Sequence, residues 1–94
     1  MPKVTVLLPV YNSEKYIKES IDSIMAQSFT DWDMLILNEY GSSEKCTDIV
    51  KEYEKKDARI RVIQNDKRLG LAESLNLGMR EAKGEYIARM DADD

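Results

Sequence analysis

Apolar and polar positions along this chain follow two rhythms in turn. Val4–Leu8 is a continuous run, apolar but for Thr5, that stops at Pro9, the pattern of a strand covered on both faces. Tyr16, Ile17, Ile21, Ile24 and Met25 then recur at helical spacing as far as Gln27, and Asn12 or Ser13 is expected to cap that helix. After the Thr30-Asp31-Trp32-Asp33 connection, Met34–Leu37 reads as a second strand. Gly41-Ser42-Ser43 forms a turn, with Ser43 placed to cap a helix whose inner face carries Ile49, Val50 and Tyr53. Ile60–Gln64 is the third strand and Asn65–Gly70 a polar, partly basic loop. Leu71, Leu75, Met79 and Ala82 mark the expected inner face of a third helix, which stops at Lys83-Gly84. Tyr86-Ile87-Ala88 climbs into Met90 as a fourth, buried-type strand and breaks into Asp91-Ala92-Asp93-Asp94.

Strict alternation of strand and helix predicts right-handed βαβ units. The expected fold is therefore an α/β, Rossmann-like parallel sheet with helices on both sides, in one domain over residues 1–94. Taken as half of a doubly wound fold, its strand order is 3-2-1-4. Ligands of such open sheets sit beyond the carboxyl ends of the strands, where the order reverses. That rule puts Tyr11 and Asn12, after the first strand, opposite Asp91 and Asp93, after the fourth.

Composition narrows the chemistry. The chain has 94 residues, 43% hydrophobic and 34% charged, which fits a globular domain with no membrane span. Only Met-Pro-Lys precedes the first apolar run, so no secretory signal is expected. The single cysteine, Cys46, makes no internal disulfide, and a cytoplasmic setting is expected. With no histidine, a Ser-His-Asp triad and a histidine-bound zinc are excluded within this chain. A formal charge of −4 argues against a nucleic-acid partner.

The candidate chemistry lies at the strand ends. Asp91 and Asp93 offer oxygen ligands suited to a hard divalent cation, Mg²⁺ or Mn²⁺, whose shell a nucleoside diphosphate would complete. An acidic tail of this kind is ordinarily a solvated charge run. Its place after an apolar strand at a predicted switch point favours the metal reading. Glu39 is set to accept from a base N–H or a ribose hydroxyl, or is an ordinary turn residue. Lys67 and Arg68 are placed to reach a diphosphate, Arg68 by paired hydrogen bonds, or are solvated loop residues. Tyr11 stacks on a base or covers the core edge. No glycine-rich loop follows the first strand, which disfavours both G-x-G-x-x-G dinucleotide binding and the P-loop.

Val4-Thr5-Val6-Leu7-Leu8-Pro9-Val10-Tyr11-Asn12, Tyr16-Ile17, Glu19-Ser20-Ile21, Gln27-Ser28-Phe29 and Gly84 through Asp94, in this order and spacing, resemble the N-terminal half of a family 2 glycosyltransferase of GT-A fold. The resemblance covers essentially the whole chain. It implies an inverting hexosyltransferase with a nucleotide-sugar donor, often a UDP-sugar, and a divalent metal. The acceptor it implies is a saccharide or a lipid-linked one, in bacterial surface polysaccharide synthesis. Carried over by position, Pro9, Tyr11, Asn12 and Glu14 line the nucleoside pocket, and Asp91-Ala92-Asp93 is the D-x-D motif. Asp93 then binds the metal, with Asp91 nearer the ribose. Where the family usually reads Asp-Asp-Gly-Ser, this chain reads Asn38-Glu39-Tyr40-Gly41-Ser42. The resemblance further implies a truncated unit, the donor-binding part of a longer enzyme, whose acceptor site and catalytic base lie beyond Asp94. No catalytic residue is assigned within the chain, and the exposed edge of the fourth strand is expected to promote self-association. The rival readings are a non-catalytic α/β nucleotide-binding or regulatory module, and a folded piece with no ligand affinity.

Overall fold

The computed structural model describes residues 2–90; Asp91-Ala92-Asp93-Asp94 lie outside them. Its element order is β1 (Val4–Val10), α1 (Ile17–Met25), β2 (Trp32–Asn38), α2 (Glu44–Lys56), β3 (Ile60–Gln64), α3 (Leu71–Glu81) and β4 (Tyr86–Arg89). All three strand pairings are parallel and the order is β3-β2-β1-β4, as the alternation predicts.

The apolar run of β1 is central because both of its faces are covered. Val6, Leu8 and Val10 meet Met34 and Ile36 of β2 under Ile17 and Ile21 of α1 and Ile49, Val50 and Tyr53 of α2. On the opposite face Leu7, Leu35 and Leu37 pack beneath α3, with Ile63, Leu75 and Ala82 at the margin. The Tyr53 hydroxyl donates to Asp22 Oδ1 at 2.7 Å and so ties α2 to α1. At the far end of the sheet the Arg59 guanidinium holds Asp57, donates to the Thr30 carbonyl, and lies 3.9 Å from the Trp32 ring centroid.

Four expectations are corrected. β1 runs through Pro9 to Val10, with Pro9 opposite Leu37. Even-numbered residues of β1 bond to β2, as Val4 N–H to the Asp31 carbonyl and the Val10 carbonyl from Glu39 N–H show. The Pro9 nitrogen therefore faces the β4 side, and no β2 bond is lost. Neither Asn12 nor Ser13 caps α1 by its side chain: its N-cap is Tyr16, without a side-chain bond, and the Ser13 carbonyl accepts from Tyr16 and Ile17 N–H. α3 turns Ser74 and Gly78 inward while Leu71 and Met79 are half exposed. At Gly78 the missing side chain lets the helix settle onto Leu7 and Leu37. β4 is exposed along its whole length, including Tyr86 and Ile87, because it is the sheet's edge among the described residues.

Candidate functional site at the carboxyl edge of the sheet

The loops leaving β1, β2 and β3 are stitched to one another by side-chain hydrogen bonds. Asn12 takes a left-handed backbone (φ 49°), which asparagine tolerates better than most residues. Its Oδ1 accepts from Ser43 N–H at 2.6 Å and its own N–H donates to Ser42 Oγ at 3.1 Å. Ser43 Oγ caps α2 by accepting from Cys46 N–H, and donates to Glu14 Oε2 at 3.2 Å. The first loop is thus locked to the second by Asn12 and Glu14.

Glu39 locks the second loop to the third. Its Oε1 accepts from Asn65 Nδ2, Leu69 N–H and its neighbour's Tyr40 N–H, at 3.1, 3.2 and 2.9 Å. Its Oε2 accepts from Gly70 N–H at 2.9 Å. Asn65 Nδ2 also donates to Ser74 Oγ in the first turn of α3, at 3.0 Å. Burial alone would raise the Glu39 pKa, but the bonds from Asn65 and from the Tyr40, Gly70 and Leu69 amides outweigh it and hold the carboxyl below its ordinary range.

The third loop returns to the first through a cation over an aromatic face. The Arg68 guanidinium lies 4.7 Å from the Tyr11 ring centroid. Gly41, at φ 85°, sits beneath both: a Cβ there would lie 3.8 Å from Arg68 and 3.9 Å from Tyr11. Tyr11, Tyr40 and Arg68 are exposed at this rim, which offers aromatic faces and a guanidinium to a ligand approaching the strand ends. A planar base on an aromatic face and a phosphate on an arginine suit these groups.

Of the sequence-predicted residues, the structure gathers Tyr11, Asn12, Glu14, Glu39 and Arg68 at one edge, with Pro9 one step inside β1. Asp91, Ala92 and Asp93 lie outside the described residues. The chain reaches them from Met90, whose N–H donates to the Leu7 carbonyl of β1 at 3.0 Å. Lys67 is exposed on the same loop as Arg68. Sequence reading missed Asn65, Ser42 and Ser43 as cross-loop partners. The available signal was the polar residue that ends each apolar strand run, as Asn65 does after Gln64. Among the described residues no three Cys, Asp or Glu side chains cluster closely enough to hold a metal, and no helix is long and apolar enough to cross a membrane. A shallow groove lined by Lys3, Asp31 and Lys83 lies at the opposite end of the sheet.

Comparison with known proteins gives this edge a context. The model of the family described as glycosyl transferase family 2 matches residues 5–94. An uncharacterised glycosyltransferase of Methanocaldococcus jannaschii is 44% identical over 94 residues, covering 99% of this chain and 32% of that protein. Among solved structures, a mannosyltransferase from Pyrobaculum calidifontis in complex with GDP-Man and Mn²⁺ superposes with a TM-score of 0.86. It is 27% identical over 98% of this chain and 28% of its own. S. aureus TarS in complex with UDP-GlcNAc gives a TM-score of 0.87 at 30% identity, over 97% of this chain and 26% of its own. The chain spans about a third of the length of the curated relatives it matches.

Proposed function

Because this chain belongs to glycosyl transferase family 2, we propose that it is the donor-binding part of an inverting glycosyltransferase. It takes a nucleoside-diphosphate sugar, a UDP-sugar first, and the sugar passes to an acceptor hydroxyl on a saccharide or lipid-linked saccharide. The observation that carries this reading is the meeting of Tyr11 and Arg68 over Gly41 at the carboxyl edge of the sheet. The likeness to nucleotide-sugar complexes supports it.

In this reading the Tyr11 face packs on the base, and Arg68 turns from the ring to the diphosphate. Asn12 keeps Tyr11 at the rim through its bonds to Ser42 and Ser43. Glu14, fastened to Ser43, borders the ribose side with Pro9 behind it. A divalent cation fits Asp91 and Asp93, which are hard oxygen donors following β4, the neighbour of β1. Bound there, Mn²⁺ or Mg²⁺ would stabilise charge developing on the leaving diphosphate. An inverting displacement also needs a base to take the acceptor's proton. None of the residues gathered at the rim is assigned that role, so the chain by itself is expected to bind donor without transferring sugar.

The test is calorimetric titration of the chain with UDP and GDP, each with and without Mn²⁺. Metal-enhanced binding is expected, and Asp93→Asn should abolish the enhancement without lowering the melting temperature. Equal enhancement in that variant would remove the metal assignment. Absence of nucleotide binding in the parent chain would leave a folded unit without donor affinity.

A further inference from the structure

Glu39 stands at a strand tip where the sequence reading sets a carboxylate to accept from a base N–H or a ribose hydroxyl, yet its two oxygens are engaged by the chain itself. Oε1 already accepts three hydrogen bonds, from Asn65 Nδ2, Leu69 N–H and Tyr40 N–H. Oε2 accepts from Gly70 N–H. Glu39 is 9% exposed, whereas Tyr11 is 44% and Tyr40 is 54% exposed. Two of the four donors are consecutive amides that lead into α3, whose N-cap, Gly70, has no side chain to supply a cap. Glu39 therefore does from the tip of β2 what the N3 glutamate of a capping box does from within a helix: it receives the amide of the N-cap residue, Gly70, here with the preceding Leu69 amide, at a terminus whose dipole favours negative charge.

The loop held in this way is the one that carries Arg68. Leu69 and Gly70 follow it directly, and Asn65, where the loop begins, is held by the same oxygen Oε1. With both ends of residues 65–70 fastened to one carboxylate, the guanidinium is delivered over the Tyr11 ring. We propose that Glu39 is a positioning residue for Arg68, setting the diphosphate contact of the cleft, and does not read the base. This rests on the nucleotide-binding role given to the rim above. It leaves base discrimination to the exposed groups of the first and second loops.

The experiment is a double-mutant cycle on nucleotide affinity, joined to amide hydrogen exchange. Arg68→Ala is expected to weaken UDP and GDP binding by on the order of tenfold, the range for loss of one charge-assisted contact. Glu39→Gln is expected to weaken both nucleotides by the same factor, leaving their ratio unchanged. The double variant should be no weaker than Arg68→Ala alone, since Glu39 acts through Arg68. A changed UDP to GDP ratio in Glu39→Gln, or additive losses, would overturn the proposal. Exchange on the parent chain gives a reading that survives poor folding of the variants: the Leu69 and Gly70 amides should stay protected when UDP and Mn²⁺ saturate the protein. Loss of their protection on binding would mean that the carboxylate leaves the loop for the ligand, which overturns the proposal. If the parent chain binds no nucleotide, the rim assignment fails. Unprotected amides in the free chain would then separately defeat the latch.

Discussion

Substituting Gly78 by alanine sets two familiar effects against each other. In a helix interior, alanine is favoured over glycine by about 1 kcal/mol. A Cβ at Gly78, however, would lie 3.0 Å from Leu37 Cδ1 and 3.0 Å from Leu7 Cδ2, with Leu37 Cδ2 at 3.4 Å. Carbon atoms prefer roughly 3.5–4.0 Å, so both leucines would have to retreat by about half an ångström or more. Leu7 and Leu37 are 2% and 1% exposed and close the core beneath α3, which leaves them little room to do so. Overpacking of this kind costs about 1–3 kcal/mol. The net expectation is destabilisation of about 1 kcal/mol, a fall of roughly 4–8 °C in melting temperature for a domain of this size. Thermal unfolding followed by circular dichroism measures it. Adding Leu37→Val, which shortens one of the colliding side chains, should lessen the loss that Gly78→Ala causes in that background. A Gly78→Ala chain more stable than its parent would refute the reasoning, because helix propensity would then have prevailed over the contact.

Two further outcomes follow from the same coordinates. The Tyr53 pKa is pushed up to about 12 by burial and by its bond to Asp22, with the Asp22 and Glu52 charges adding to the shift. A folded-state pKa above the ordinary 10.0 means stability that is whole below pH 10 and is lost as pH rises through about 12. Tyr53→Phe should accordingly lower stability by about 1.5–3 kcal/mol at neutral pH, and the gap to the parent should close in urea titrations toward pH 12. A gap that stayed constant across that range would disprove the assignment. The exposed β4 edge, with Tyr86 and Ile87 at 58% and 45% exposure, should promote concentration-dependent association in sedimentation velocity. A monomer at all concentrations would count against it.

The topology was legible because apolar runs of strand length alternate with helical stripes, and handedness leaves few ways to join them. The gathering of loops at one edge followed from topology alone. Three things were not legible, for different reasons. The face of α3 was misread because Leu71, Leu75 and Met79 form a stripe by size, whereas the helix approaches the sheet along its small residues, Ser74 and Gly78. The exposure of β4 was hidden because an apolar strand reads alike whether or not anything covers it. Asn12 was expected to cap the helix next to it, since capping is a local rule. Its partners, Ser42 and Ser43, are 30 and 31 residues away, a pairing that exists only once the strands are side by side. Glu39 illustrates the same limit: its position at a strand tip was plain from sequence, its four donors were not.

Pro9 has a consequence for its neighbour across the sheet. The ladder between β1 and β4 advances by odd-numbered residues of β1, and Met90 N–H closes on the Leu7 carbonyl. The next donor in that series would be the nitrogen of residue 9, which in proline carries no hydrogen. The Met90 carbonyl therefore receives no hydrogen bond from the nitrogen of residue 9. By the identity of a single residue, the central strand thus withholds one main-chain donor from the outer one at Met90, the last of the described residues, and any other residue at position 9 would restore it.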